Sequence, residues 1–247
     1  RSPFTHTTLM RVGIQGVEVP EAEKKAANIV FLVDVSGSMG SHDKLPLAQV
    51  VMSEALESLS PTDTVAIVTY AGHESVALAP TKVASKSKIL KVISKLDASG
   101  STAGKKGLEL AYNQAEAGFI EGGVNHVIMC TDGDFNVGIS NTDELVDFIR
   151  EKRETGVTFT ALGFGFGNLN DHMMESVSNA GNGFYSVITS QDHAVEYASE
   201  SLWDTANLIA RDVKIQVQFN PEQVSAYRLL GYENRALADD DFEDDKV

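Results

Sequence analysis

Short runs of apolar, mostly β-branched residues recur through the middle of the chain, with little polar alternation. They lie at residues 29–33, 64–69, 127–130 and 157–162. Runs of this length and character are typical of strands that are covered on both faces, as in a parallel sheet. We therefore predict four buried parallel strands, and we predict that Val76, Leu78 and their neighbours add one antiparallel edge strand.

Apolar residues between these runs recur at helical spacing. Three such faces consist of Met52, Ala55, Leu56 and Leu59, then Leu108, Ala111, Tyr112 and Ala115, and then Leu145, Phe148 and Ile149. Asn141 and Glu144 are spaced like a capping box before the third helix, and Gly156 is placed to end it. Because strands alternate with helices, we predict an α/β fold with a doubly wound, mostly parallel sheet flanked by helices.

The two ends of the chain alternate differently, with a period of two. Met10, Val12 and Ile14 alternate with polar residues or glycine near one end, and Val213, Ile215, Val217 and Phe219 do so near the other. This pattern predicts half-exposed antiparallel strands. We expect the ends to pair as a small β appendage, with residues 225–232 as a possible third strand.

Three regions follow from these patterns. We expect residues 1–25 to form an N-terminal β segment that packs with the C-terminal segment, and residues 26–210 to form the α/β domain. Residues 211–247 are expected to hold the C-terminal β segment and an acidic tail, and to begin a further domain that is cut short.

The charge balance narrows the class of partner. The chain of 247 residues carries 20 Lys and Arg against 35 Asp and Glu, a formal net charge of −15. Such a surface repels phosphate backbones, so nucleic acid is not expected as a partner. The apolar runs are far shorter than the ~20 residues that cross a bilayer, so no transmembrane segment is expected. Cys130 is the single cysteine, which rules out an internal disulfide.

Hydroxyl and carboxylate side chains follow the first predicted strand. Asp34 comes directly after it, and Ser36 and Ser38 follow at alternate positions around Gly37. Ligands of open α/β sheets bind outside the carboxyl ends of the strands. Asp132 follows the third apolar run, and Thr102 lies in a glycine-rich loop before a predicted helix. Together these side chains form an all-oxygen set of the kind that Mg²⁺ prefers.

The sequence DVSGS, followed by GSTAG and TDGD, resembles the metal-ion-dependent adhesion site of von Willebrand factor type A domains. All positions of that motif match, namely Asp34, Ser36, Ser38, Thr102 and Asp132. The resemblance implies the Rossmann-like fold of that family over about residues 26–210 and one divalent cation, Mg²⁺ first, with Ca²⁺ or Mn²⁺ possible. The flanking segments look like bacterial members related to homologues of calcium-activated chloride channel regulators. This implies an extracytoplasmic location, at the cell surface or in the periplasm, within a longer protein.

Several nearby residues do not fit a second site. Some integrin subunits carry a further calcium site on paired aspartates after the second serine, but here Ser41 and His42 take those places. We therefore expect one metal, and we predict Asp43 as the N-cap of the next helix. Asp134 is either an outer contact of the metal or a solvated turn residue. Residues 100–106 lack the spacing of a phosphate-binding loop.

We expect a binding module and not an enzyme. The motif offers only two carboxylates, so an Asp or Glu of a protein partner is favoured at the open coordination position. We expect residues 163–167 to form a flexible rim loop, in which Phe164 and Phe166 are candidate contacts for such a partner. The alternative is a Mg²⁺-dependent hydrolase such as a phosphatase, although no general base is evident beside Asp34. A scaffold with a structural metal is a third possibility, for which so few charged ligands are a poor choice.

Overall fold

The computed structural model describes residues 8–14, 24–71, 73–99, 105–133, 141–166, 169–202 and 213–230. Its strands are β1 (Ala27–Asp34), β2 (Thr64–Ala71), β3 (His73–Lys82), β4 (Val124–Thr131), β5 (Thr158–Phe164) and β6 (Tyr185–Ile188). Its α-helices are α1 (Leu45–Ala55), α2 (Lys86–Ile93), α3 (Lys105–Ala117), α4 (Thr142–Arg153), α5 (Asp171–Ala180) and α6 (Gln191–Glu196). Short 3₁₀ turns occupy Gly37–Gly40 and Val83–Ser85, and one π-helical turn, Tyr197–Ser201, continues α6.

The strands form one six-stranded sheet in the order β3-β2-β1-β4-β5-β6. Only the β2–β3 pairing is antiparallel, so the predicted edge strand around Val76 and Leu78 is confirmed. The four predicted parallel strands are also confirmed, and β6 extends the sheet beyond them. The chain runs outward in both directions from β1, so the switch point of the sheet lies between β1 and β4.

Each face of the sheet has its own apolar layer. The helices α1, α2 and α6 pack on one face, against residues such as Phe31 and Ile128. The helices α3, α4 and α5 pack on the other face, against residues such as Leu32 and Met129. Because β1 and β4 are covered on both sides, every residue of both strands is buried. This explains the unbroken apolar runs in their sequences.

The signals that bound α4 work in the folded chain largely as expected. The side chain of Asn141 accepts a hydrogen bond of 3.0 Å from the amide of Asp143, which caps the first turn. Gly156 follows the helix with a φ of +90°, a conformation that favours glycine. The cap of α1 differs from the prediction. Lys44 takes that position without a side-chain cap, since Asp43 instead accepts a 2.5 Å hydrogen bond from the Ser41 hydroxyl.

The chain divides into two compact units, Glu18–Asn207 and Arg1–Val17 with Leu208–Val247. The two ends thus share a unit, but residues 8–14 and 213–230 contain no β-strand, so the strands predicted there are wrong for these residues. Met10, Val12 and Ile14 are exposed, and a pair of strands without a covered apolar face is marginal in water. Within the described part, residues 220–224 form a turn that brings the rings of Phe219 and Tyr227 within 4.6 Å, centroid to centroid.

Among the helices in the described ranges, none combines the length and the apolar character that a bilayer crossing requires. Residues 15–19, which were predicted to pair with the C-terminal segment, lie outside the described residues, and so does the acidic tail. They stay predictions.

Candidate metal site

The carboxylate of Asp34 ends β1 at the switch point and is fully buried. Its Oδ1 accepts a hydrogen bond of 2.8 Å from the amide of Ser36, two residues along the chain. Its Oδ2 accepts a hydrogen bond of 3.2 Å from the hydroxyl of Thr131, at the end of β4. The strand end and the turn after it therefore fix the orientation of this carboxylate.

Ser36 directly precedes the turn Gly37–Gly40 that follows β1, and Ser38 lies within that turn. Their hydroxyl oxygens lie 2.9 Å apart, so either can donate to the other. Met39, between Ser38 and Gly40, is fully buried in the core and anchors the turn. Ser36 is buried and Ser38 is exposed. The hydroxyl pair therefore lies at the boundary between the sheet edge and solvent.

Asp132 follows β4 directly and is 2% exposed. Its Oδ2 accepts a hydrogen bond of 2.9 Å from the ammonium of Lys44, which also donates to the carbonyl of Ser38 at 3.0 Å. Behind it, the amide of Gly133 donates to the hydroxyl of Thr131 at 3.2 Å. Gly133 has a φ of +91°, which turns the chain away after the carboxylate.

Two acidic side chains thus share a poorly solvated corner. Burial raises the pKa of Asp34 above its ordinary value, against the lowering effect of its hydrogen bonds from Ser36 and Thr131. The negative charge of Asp132 raises it further. A corner that penalises two adjacent negative charges in this way gains from a cation that neutralises them.

The donor set of this corner fits a hard divalent cation. Buried carboxylates of Asp34 and Asp132 lie beside the hydroxyls of Ser36 and Ser38, and all of these donors are oxygens. Within the described ranges, no three His, Cys, Asp or Glu side chains gather as a ligand cluster. A cation here would therefore depend on neutral hydroxyls and waters for the rest of its shell, which suits Mg²⁺ better than a soft metal.

The structure describes some, but not all, of the site residues that were predicted from the sequence. The carboxyl ends of the central strands β1 and β4 carry Asp34, Ser36, Ser38 and Asp132. Thr102 and Asp134 lie outside the described residues. Thr131 and Lys44 also belong to this corner, although neither was predicted from the sequence. Thr131 could have been found, since it stands at a buried strand end beside Asp132. Lys44 gave no signal, because its contact with Asp132 spans 88 residues.

The sequence model of the von Willebrand factor type A domain matches residues 28–200. The chain belongs to this family. The expected family and its Rossmann-like fold are therefore confirmed. A second model, described as the C-terminal part of the uncharacterized protein YfbK, matches residues 204–247.

The relatives of this von Willebrand A chain include the uncharacterized protein YfbK of Escherichia coli, which is 42% identical over 97% of the chain. The chain spans 42% of the length of that relative. A von Willebrand factor type A structure from Catenulispora acidiphila matches 74% of this chain and 43% of its own, with 20% identity and a TM-score of 0.62. Proximal thread matrix protein 1 from the mussel byssus, described with a zinc-occupied metal-ion-dependent adhesion site, matches 74% of this chain and 48% of its own, with 21% identity and a TM-score of 0.60.

Proposed function

We propose that this von Willebrand A domain is a metal-ion-dependent protein-binding module. One divalent cation, Mg²⁺ by ligand chemistry, is held by Ser36, Ser38 and Thr102 with Asp34 and Asp132, one or both carboxylates acting through water. The observation that carries the proposal is the buried Asp34 carboxylate, fixed by two hydrogen bonds beside the hydroxyl pair at the switch point.

The number of charged ligands supports a carboxylate as the partner group. Mg²⁺ takes about six oxygen ligands and readily keeps waters. Two carboxylates and three neutral hydroxyls leave at least one position for water, and exposure of Ser38 favours a position that faces solvent. An Asp or Glu of a partner protein can replace that water with a charged oxygen. The exchange is favourable because the cation is otherwise surrounded mostly by neutral ligands.

The relatives support a divalent cation without fixing its identity. In the mussel protein, zinc occupies the corresponding kind of site. Hydroxyl and carboxylate donors favour Mg²⁺, with Mn²⁺ and Ca²⁺ as alternatives. The extracytoplasmic location inferred from the resemblance stays a prediction.

Residues around the sheet edge supply the specificity in this proposal. Phe166, just after β5, is 74% exposed and is available to a partner. Phe164 is fully buried in the core, so the expectation that it contacts a partner is wrong. Strand β5 continues through Phe164 and is covered on both faces, so Phe164 packs in the core, and the strand ends before Phe166. His42 is exposed on the loop after the serines and is a second candidate contact.

The test is capture of partner proteins in parallel by the wild-type chain and by Asp34→Asn, each in Mg²⁺ and in chelator. The proposal predicts a protein retained by the wild type in Mg²⁺ and lost in chelator and in the variant. Replacement of the partner's Asp and Glu residues one at a time then identifies the carboxylate. Binding that survives chelator and the loss of every accessible partner carboxylate would contradict the proposal.

Turnover assays on the same protein distinguish a binding module from a hydrolase. We expect no turnover of phosphate esters, nucleotides or peptides in Mg²⁺ or Mn²⁺, because the proposed cation serves as a contact and not as a source of hydroxide. Hydrolysis that disappears in Asp132→Ala would favour a metal-dependent hydrolase.

A further inference from the structure

The ammonium of Lys44 lies against the same carboxylate that the proposed metal needs. Its Nζ is 2.9 Å from Oδ2 of Asp132 and 3.0 Å from the carbonyl oxygen of Ser38. The Asp132 side chain is 1% exposed and that of Lys44 is 17% exposed. A charge-assisted hydrogen bond of this length, largely shielded from water, is stronger than the ion pairs of the open surface.

Two features of the fold hold Lys44 at the site. Lys44 is the residue directly before α1, so the start of that helix fixes its backbone. Its aliphatic stem crosses Gly165, which follows β5. A Cβ at Gly165 would lie 2.6 Å from Cε of Lys44, so the absence of a side chain there makes room for the stem. Helix start, glycine and carboxylate together hold the ammonium at the end of β4.

A cation bound by Ser36 and Ser38 would share this corner with the ammonium, since Lys44 donates to the carbonyl of Ser38 itself. Two positive charges that draw on one carboxylate in a poorly solvated place repel each other. Removal of the lysine charge alone would leave the buried carboxylate of Asp132 without this counter-ion, beside the already penalised Asp34. The ammonium and a divalent cation are therefore alternative positive partners for the carboxylate of Asp132.

We propose that Lys44 is a tethered cation that competes with the divalent metal for Asp132. It stabilises the site when no metal is bound and lowers the affinity for the metal, so that Asp132 exchanges one positive partner for another on binding. The proposal rests on the proposed function in one respect, namely that this corner binds a metal.

The competition predicts two effects of opposite sign when the lysine charge is removed. In Lys44→Met and Lys44→Gln, the melting temperature in chelator should fall, because Asp132 loses its ion pair with Lys44. Mn²⁺ affinity should rise by about tenfold, which is comparable to the roughly 5- to 150-fold by which coupled bound groups usually affect each other. The rise in melting temperature on adding Mn²⁺ should be correspondingly larger than in the wild type. Lys44→Arg keeps the charge, and its Mn²⁺ affinity should stay close to the wild-type value.

The experiment measures free Mn²⁺ by electron paramagnetic resonance in titrations of these variants, and thermal unfolding in chelator and in Mn²⁺. Lys152→Met is the matched control, since it removes an ion pair of 3.1 Å with Glu116 that lies on α3 and α4. We expect that control to bind Mn²⁺ as the wild type does. Lys44→Gln retains a neutral hydrogen-bond donor and so separates the effect of charge from that of the hydrogen bond.

Each remaining outcome decides the proposal. If the wild type binds Mn²⁺ but both neutral variants bind it no more tightly, the competition is refuted while the metal site stands. Neutral variants that fail to fold even with Mn²⁺ present would also refute it, because the metal should replace the missing charge. If the wild type binds neither Mn²⁺ nor Mg²⁺, the proposed function itself fails.

Discussion

The hydroxyl of Thr131 donates a hydrogen bond of 3.2 Å to Oδ2 of Asp34, across the ends of the adjacent strands β4 and β1. The same hydroxyl accepts a hydrogen bond from the amide of Gly133 at 3.2 Å. Thr131 therefore links the backbone after β4 to the carboxylate at the end of β1. It positions Asp34 although it is not a ligand of the motif.

Thr131→Val should destabilise the fold. Valine has nearly the same shape but leaves an oxygen of a buried carboxylate without its donor, which costs about 1–3 kcal/mol. Urea unfolding in chelator measures this loss. Thr131→Ser, which keeps the hydroxyl, should retain this hydrogen bond and lose only the packing of one methyl group. Equal stability of the valine variant and the wild type would show that the hydrogen bond does not hold Asp34.

The stability of the chain should fall as the pH decreases from neutrality, because His126 is fully buried. Burial lowers the pKa of His126 from 6.5 to about 4. The unfolded state thus binds a proton that the folded state refuses, so this contribution is complete above pH 6.5 and is lost progressively as the pH falls toward 4. A shift of this size corresponds to roughly 3 kcal/mol.

The free energy of unfolding of wild type and His126→Gln, measured from pH 7.5 to 4, tests this account. The loss on acidification should be smaller in the variant, whose side chain does not titrate, than in the wild type. His172→Gln replaces an exposed histidine on α5 and should keep the wild-type profile. If the profile of His126→Gln matches that of the wild type, His126 does not govern the acid response.

Asp63 should be one of the most sensitive acidic residues for stability. Its Oδ1 accepts a hydrogen bond of 2.8 Å from the amide of Ala27, where β1 begins, and its Oδ2 accepts one of 2.7 Å from the amide of Ser60. Asp63→Ala removes both acceptors from buried or partly buried amides, each of which costs about 1–3 kcal/mol when left unpaired. In urea unfolding, the exposed Asp97→Asn should stay within about 0.5 kcal/mol of the wild type. A similarly small effect at Asp63 would contradict this role.

Patterns within one element were sufficient to predict most of the sheet. The apolar runs of β1 and β4 identify them as buried strands because both faces of each strand are covered. Strand β6 was not predicted, since it has only four residues, Tyr185–Ile188, of which three are only partly buried, and such a short segment gives no clear pattern. The alternation near Met10 and Ile14 led to a wrong strand prediction, because alternation indicates a strand only where a partner strand and a covered face exist.

The residues of the candidate site were likewise predicted only in part. Asp34, Ser36 and Ser38 are close in sequence, and Asp132 follows a predicted strand, so the sheet rule brings them together. Lys44 reaches Asp132 through the tertiary fold and the space left at Gly165. No local pattern records that contact. The N-cap predicted for Asp43 failed for a related reason, since a nearby hydroxyl, that of Ser41, competed successfully for its carboxylate.

Calorimetric titration with Mn²⁺ tests most directly whether the carboxyl ends of β1 and β4 bind one divalent cation through Asp34. Asp34→Asn is the appropriate variant, because an amide can still accept from Ser36 and donate to the Thr131 oxygen, which preserves the fold. Asp192→Asn, an exposed replacement in the first turn of α6, is the matched control. We predict one Mn²⁺ per chain in the wild type and the control, and binding weakened at least about tenfold in Asp34→Asn with an unchanged urea midpoint. Unchanged Mn²⁺ affinity in Asp34→Asn, or no binding by the wild type, would contradict the account.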